Sequence, residues 1–326
     1  MSVPKPQWFR DDAVMVSTAP TCGIAKGGGL LYAFDLSTGQ RIDCTDPETG
    51  AMVPLIDDVL LSDMEELRKG GKETPTLRFV RREDVSLRLA VPTYYDRRYH
   101  EAFVRAMERL EFRGFRRVTI ASMIADRQIT IRHGHGSAPK DLRVGDIPYI
   151  KVSDLRAGMV NINPTNRVPK KWAERMWGGT TSGLHAYDLL SPERASRNIG
   201  DFCVLMPGQE DLLVTKEVIV VRPGPEAFFD AFYLLWALTL RVVRDQWRRV
   251  VFMQTNREDV GDRYHEIEIP LAPDAVSAHA VSQSFREYFL ALATAREGLS
   301  RYLASGEHHF FVPGAETGAD DAPAGP

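Results

Sequence analysis

A proline–glycine–proline break, Pro223-Gly224-Pro225, constrains the fold of this chain most, because it separates two kinds of sequence. Before it lies Leu213–Val221, a β-rich run that must end there, since proline has no N–H to give to a ladder. After it, Phe228, Phe229, Phe232, Leu235, Trp236, Thr239, Val242, Val243 and Trp247 recur at helical spacing and predict one helix with a broad apolar face. A second helix is expected from about Val276 to Leu303, with Val281, Phe285, Tyr288, Phe289, Leu292 and Leu299 along it. The expected fold class is therefore α+β: a mixed α/β body, long helices after it, and a small mixed unit ahead of it.

That first unit is rich in turns. Gly27-Gly28-Gly29, Ser37-Thr38-Gly39 and Asp46–Gly50 separate short apolar runs such as Leu30–Phe34, which suits hairpins. Asp57–Arg68 has helical spacing and stops at Gly70-Gly71, and Pro92–Tyr95 reads as an extended connector. Asp96–Phe112 is amphipathic through Tyr99, Phe103, Met107 and Leu110. Strand alternation follows at Val118/Ile120 and Ile129/Ile131, then a loop from Arg132 to Ser137, a strand at Ile147–Val152, and a turn-forming loop at Asn161–Asn166. The tail from Pro313 is small, acidic and proline-rich, a composition that disfavours a packed core.

Charge is uneven along the chain. The formal net charge is −3, yet residues 96–175 hold 17 Lys/Arg against 9 Asp/Glu, a net of +8, between flanks of −3 (1–95) and −8 (176–326). One basic segment between acidic flanks points to a local polyanion site, with a solvated arginine face at Arg105–Arg117 as the plainer reading of part of it. The opening MSVPKPQWFRDD has no apolar signal core, and the most apolar stretch, Ala227–Val243, carries Asp230 and Arg241. Cys22, Cys44 and Cys203 form neither a disulfide framework nor a CxxC pair. A reduced cytoplasm and no membrane are expected.

Catalytic signatures are missing. No Asn/Asp-Pro-Pro-Tyr/Phe element occurs, and Gly27–Gly29 lack the context of a nucleotide loop. The acidic cluster Asp262–Glu268 has no lysine to complete a nuclease pattern, and no GxSxG appears. His133 and His135 have no third ligand nearby and read as a glycine-flanked turn; Cys22 and Cys44 could be half a zinc site only with distant histidines. Neither a catalytic site nor a metal is expected.

Two stretches resemble a known family. Gly145-Asp146-Ile147-Pro148-Tyr149-Ile150-Lys151-Val152-Ser153-Asp154-Leu155 resembles a segment of the target-recognition domains of type I restriction specificity subunits. Ahead of it, Leu87-Arg88-Leu89 and Tyr94-Tyr95-Asp96 are similar to the stretch by which such a domain follows an adenine methylase. Asp188-Leu189-Leu190, Arg194 through Arg197-Asn198-Ile199-Gly200, and Val218–Arg222 look like the domain's second half. Phe232–Leu238 with Val243-Arg244-Asp245-Gln246 is similar to the start of the family's spacer helix, and Ile267–Leu271 to the segment before its closing helix. Ala19–Gly23 and Ile56-Asp57-Asp58 look like the region just after the catalytic domain in fused methylase–specificity proteins. The chain departs from the pattern in two ways. One set of recognition motifs stands where the family has two, and the glutamine expected after Ile267–Leu271 is absent at Pro273-Asp274-Ala275, with Gln283 a shifted counterpart.

The resemblance implies a non-catalytic DNA-reading subunit: a methylase-tail-like unit at 1–95, a target-recognition domain at 96–225, spacer and closing helices for assembly at 226–312, and a tail at 313–326. It implies double-stranded DNA as ligand and an N6-adenine methyltransferase partner that holds S-adenosylmethionine. A restriction or translocase subunit and a second copy of this chain are further candidate partners. In such a subunit basic groups hold phosphates while loop side chains read base edges. Arg132, His133, Asn163, Thr165, Asn166 and Arg167 are the candidate readers, and Lys170, Lys171 and Arg175 the candidate phosphate clamps. Lys151, Ser153 and Asp154 are pattern positions, of which Asp154 could equally cap a turn; Trp172 and Trp177 suit core packing better than base stacking. Two rival readings stay open: the C-terminal part of a methyltransferase or nuclease with its own catalytic residues, and an assembly adaptor that reads no DNA. Methyl-donor binding would mark the first rival; salt-sensitive DNA binding without turnover would mark the reader.

Overall fold

The computed structural model describes residues 13–25, 27–86, 89, 91–194, 196–253 and 258–305; the opening segment, Leu87-Arg88 and the tail from Pro313 lie outside the described residues. Its contacts fall into two units, Met1–Ala102 with Arg248–Phe252, and Phe103–Trp247 with Met253–Pro326. Residues 226–247 thus fold with the segment before them.

In the first unit, β1 (Ala13–Ser17) pairs antiparallel with β4 (Leu77–Arg81), and Val16, Val80 and Tyr95 form a small core with Val14, Val85 and Tyr94. Between them, β2 (Asp43–Thr45) and β3 (Met52–Pro54) form a hairpin. Its turn is set by Asp46, whose Oδ1 accepts the Glu48 and Thr49 N–H groups, and by Gly50 at φ 71°. The predicted helix is α1 (Val59–Arg68), capped by Asp58, which accepts the Leu61 N–H at 2.8 Å. Asp63 of α1 is buried and accepts hydroxyl bonds from Ser17 (2.6 Å), Thr76 (2.8 Å) and Thr74 (3.0 Å). Burial raises its carboxyl, but the three hydroxyls together outweigh that and leave it below the usual range. Pro92–Tyr95 is a 3-10 turn, not an extended connector, because proline fits a first helical position and the Asp96 N–H closes the turn onto Thr93 O. Helix α2 (Arg98–Met107) follows.

The second unit contains, in chain order, β5 (Arg116–Thr119), α3 (Ile120–Ala125), β6 (Ile129–His133), β7 (Ile147–Ile150), β8 (Leu155–Arg156), β9 (Met159–Val160), β10 (Arg167–Val168) and α4 (Lys170–Trp177). It continues with β11 (Leu189–Pro192), β12 (Cys203–Val204), β13 (Leu213–Val214), β14 (Val218–Pro223), α5 (Ala231–Thr239) and α6 (Arg241–Val250), whose last residues from Arg248 count with the first unit. The short strands β15 (Phe252–Met253) and β16 (Glu258–Asp259), then β17 (Glu268–Leu271) and α7 (Ala275–Ser305), complete the element order. Six strands form one sheet in the order β6-β14-β11-β12-β9-β8, three another as β10-β7-β13, and β17 pairs with β5.

Alternation along β7 and β13 explains how the two main sheets pack. Tyr149, Val168 and Leu213 enter a cluster with Ala173 under α4, whereas Ile150 and Val214 enter the cluster of Leu190, Leu205 and Val220. The three-stranded sheet is thus apolar on both faces. The Leu213–Val221 run is two strands, and Val218 to Val221 are all buried within the six-stranded sheet.

Two further expectations are corrected. Ile120 opens a helix instead of continuing a strand, because the Thr119 side chain accepts the Ser122 N–H and caps α3. The single helix expected through Phe228–Trp247 is two: Leu240 lies at φ −53°, ψ 130°, and Thr239 Oγ1 bonds back to Leu235 O at 2.8 Å. By contrast α7 is one unbroken helix of 31 residues. Among the described residues no helix is long and apolar enough to cross a membrane.

Candidate nucleic-acid interface

Residues of the sequence pattern form the joints of the second unit. Gly145 sits at φ 144°, and a Cβ there would lie 2.4 Å from the Val168 carbonyl, so only glycine lets the chain enter β7 beside β10. Asp188 is buried and receives Arg222 Nε at 2.8 Å and Nη2 at 2.5 Å, tying β14 to the turn before β11. Gly200, at φ 82°, leaves room for the Trp247 ring, which a Cβ would meet at 2.5 Å. Gln246 donates to Glu268 O (2.8 Å) and accepts the Glu268 N–H (3.0 Å), as a strand neighbour would. Tyr233 Oη donates to Pro270 O and accepts the Ala272 N–H, both at 2.8 Å. Asp230 caps α5 and pairs with Arg286 of α7.

The candidate readers separate on this frame. Arg132 is half-buried and donates to Ser182 O at 3.3 Å; burial first, and the Arg222 charge second, lower its pKa. His133 is exposed, with Nδ1 2.9 Å from buried Glu193. His135 is a bridge: Nδ1 accepts the Val214 N–H at 3.1 Å and Nε2 donates to Ser182 O at 2.9 Å. Burial, helped by the Arg132 charge and opposed by the Ser182 bond, takes its pKa down to about 4, so the ring is neutral.

Asn166 is not a reader, which corrects the expectation. It is buried, its Nδ2 donates to Tyr149 O, and its Oδ1 accepts Arg143 Nη1 at 2.9 Å, so neither end of the amide can reach a base. Asn163 is exposed, but its Oδ1 accepts both the N–H (3.0 Å) and the hydroxyl (2.8 Å) of Thr165, fixing the loop tip as an Asx turn. Arg167 donates to Pro164 O and, at 2.7 Å, to Asp146 O, bracing the loop. Lys151 stands at the end of β7, where its backbone N–H bonds Asp154 Oδ2 at 2.8 Å, so Asp154 caps this turn. Lys170 and Lys171 open α4 on its exposed side, Lys170 4.0 Å from Glu174, and exposed Arg175 lies over the Trp172 ring. Trp172 and Trp177 pack onto the α4 cluster.

One basic residue that sequence reading passed over is Arg156. Its side chain forms no hydrogen bond or ion pair among the described residues. It lines a 590 Å³ groove with Ser153, Asp154, Asn161 and Asn163, and a 340 Å³ cleft with Asn198, Asp201 and Arg244. The signal was the Arg-Ala-Gly sequence: Ala157 (φ 51°) and Gly158 (φ 72°) make the two-residue left-handed turn that joins β8 to β9. Arg156 with Asn161 and Asn163 thus gives one groove an amide and basic lining. Such groups hydrogen-bond phosphates and base edges. Among the described residues no three His, Cys, Asp or Glu side chains assemble as metal ligands. Cys203 is buried, which pushes its thiol up to about 12.

No family model and no curated protein matches the chain. Solved structures match part of it, among them three from type I restriction-modification systems. One is the S subunit of a type I restriction-modification system from M. genitalium, at 16% identity, TM-score 0.38, covering 60% of this chain and 45% of that one. A second concerns complex assembly and conformational transition of the type I R-M system, at 17% identity, TM-score 0.35, covering 59% and 43%. The third is the HsdS subunit from Thermoanaerobacter tengcongensis, at 16% identity, TM-score 0.33, covering 56% and 39%. The chain spans less than half the length of each.

Proposed function

We propose that this chain is a non-catalytic, sequence-reading DNA-binding subunit that directs a partner N6-adenine methyltransferase in a restriction-modification or phage-defence system. The observation that carries the reading is the mutual contact of the sequence motifs: Gln246 on Glu268, Tyr233 on Pro270 and Ala272, Asp188 on Arg222, Gly200 under Trp247. Pieces that are individually weak as sequence signals are joints of one unit. Because they hold the frame, discrimination falls to exposed Arg156, Asn163 and Thr165 and half-buried Arg167, with Lys151, Lys170, Lys171 and Arg175 for phosphates. S-adenosylmethionine belongs to the partner in this reading.

A second copy of this chain completes the reading surface. Val281, Phe285, Tyr288, Leu292, Ala295, Leu299 and Tyr302 follow an alternating four–three spacing along α7, and no residue from Leu290 to Ser305 is buried. Pairing two copies through this stripe supplies the second recognition domain that the chain lacks, by two-fold symmetry, and implies an interrupted palindromic target. With the 228–247 segment broken at Leu240, α7 is the element long enough to serve as spacer.

Mobility-shift titrations over a range of salt, with random and selected duplexes, test the reading. Salt-sensitive, sequence-selective binding without methyl transfer or cleavage is expected. Lys170→Glu with Lys171→Glu should weaken binding to all sequences alike and flatten the salt slope. Arg156→Ala or Arg167→Ala should instead relax discrimination by about 1–3 kcal/mol at one or two base pairs. Methyl-donor binding by the isolated chain would overturn the non-catalytic assignment.

A further inference from the structure

Between Ile24 and Leu67 the backbone is well paired, yet the only buried residue among those described is Asp63, a polar one. The pairing is extensive: Leu31 N–H to Gly23 O, Ala33 N–H to Leu55 O, Ile42 N–H to Ala33 O and Leu55 N–H to Ile42 O all lie between 2.8 and 3.0 Å. Asp35 and Asp46 fix the turns by accepting backbone N–H groups. The apolar side chains of this ordered arm face outward: Leu36 is 98% exposed, Met52 67%, Leu61 56%, and Phe34, Ile42 and Met64 about half that of Leu36 or less. A two-stranded hairpin without a buried face is marginal in water, and an apolar surface this extensive marks a contact site. Charge restricts what can cover it. From residue 27 to residue 67, Arg41 is the one cation against nine carboxylates, a net of −8. That field repels DNA, and it opposes self-pairing, because an isologous contact would bring two acidic rims together.

We propose that this arm is the docking surface for a partner protein that presents an apolar centre within a lysine- and arginine-rich rim. Resting on the function proposed above, that partner is the methyltransferase chain. The anchors are Leu36, Met52 and Leu61, each an exposed side chain on a hydrogen-bonded backbone, and the rim is Asp43, Glu48 and Glu65. The arm then handles the protein partner while the second unit handles DNA, so the two contacts can be lost separately.

The test uses the full chain and the purified methyltransferase chain encoded with it, with affinity followed at several salt concentrations. Met52→Asp with Leu61→Asp should weaken the complex at least about 100-fold, as expected of central anchors. Asp43→Lys with Glu65→Lys should weaken it about tenfold and remove its salt dependence. In both variants the melting temperature and the DNA affinity should stay as in the parent chain, since neither change touches a buried residue. Unchanged affinity in both variants overturns the proposal, and so does a parent chain that forms no complex. Self-association of the parent chain that both variants abolish also overturns it, by placing a second copy on the arm. If DNA binding proves indifferent to sequence while the arm-dependent complex persists, the docking surface stands and the DNA-reading function falls.

Discussion

Between Ile24 and Leu67 hydrogen bonds organise a backbone whose apolar side chains stay in water, whereas from Ile147 to Val221 the apolar side chains of the strands are packed away on both faces of a sheet. Both regions are turn-rich and built from short strands. They differ in what fixes each turn. In the arm, turns are fixed locally, by aspartates such as Asp35 and Asp46 and by glycines that meet nothing, Gly27, Gly28, Gly39 and Gly50. In the second unit, turns are fixed by distant partners, Gly145 by Val168 and Gly200 by Trp247. The lesson is that ordered backbone and stable core are separable, and a segment with the first alone is built to receive its core from elsewhere.

Glycine substitutions give the largest expected contrast. Gly145→Ala drives a methyl into the Val168 backbone and should cost on the order of 4 kcal/mol or prevent folding of the second unit. Gly39→Ala, at φ 69° with nothing within 4 Å, should cost about 1 kcal/mol of backbone strain. Denaturant titrations of the two variants compare them directly, and equal losses would erase the distinction between local and distant turn control. Next, Asp188→Ala strands Arg222 in a site where its side chain is mostly covered, and should destabilise by about 3–5 kcal/mol.

Acid should act on the second unit through His135. Its ring titrates near 6.5 in the unfolded chain and at about 4 in place, so the unfolded chain takes the proton first. Its contribution is fully present above about pH 6.5 and falls as pH drops, by about 2 kcal/mol at pH 5. Melting at pH 7 and pH 5 checks this, and His135→Gln should remove much of the difference. The smallest effects belong to the arm: Leu36→Ser should change the stability of the isolated chain by less than about 0.5 kcal/mol. A larger loss would mean that the arm has a core after all.

What sequence made legible follows the same division. Apolar β-rich runs located β7 and β14, and the helical spacing of Val281, Phe285, Tyr288 and Leu292 located α7. Thr119 as a cap was legible in principle, since a Thr three residues before Ser122 precedes the helical run, but Val118 and Ile120 read together as a strand. The break at Leu240 was missed because Trp236, Val243 and Trp247 keep helical spacing across it. The missed cue was composition, since Ala231–Thr239 is apolar all round while Arg241–Val250 is strongly charged on one side. Asn166 was misassigned for a different reason. Its burial depends on Tyr149 and Arg143, more than fifteen residues away, and loop position alone carries no such information.

Loop 161–166 hangs between two sheets, leaving the six-stranded one at β9 and entering the three-stranded one at β10. Both anchor strands are pinned by partners outside the loop, Val204 for Met159 and Pro148 for Arg167. Lengthening a tethered loop is inexpensive, about 0.6 kcal/mol per doubling. The molecule therefore has something close to an exchangeable cartridge, in which residues 161–165 can be randomised or extended while Asn166 and Arg167 are kept as its socket. On the function proposed above, a library built on that rule would explore new DNA targets without re-solving the fold each time.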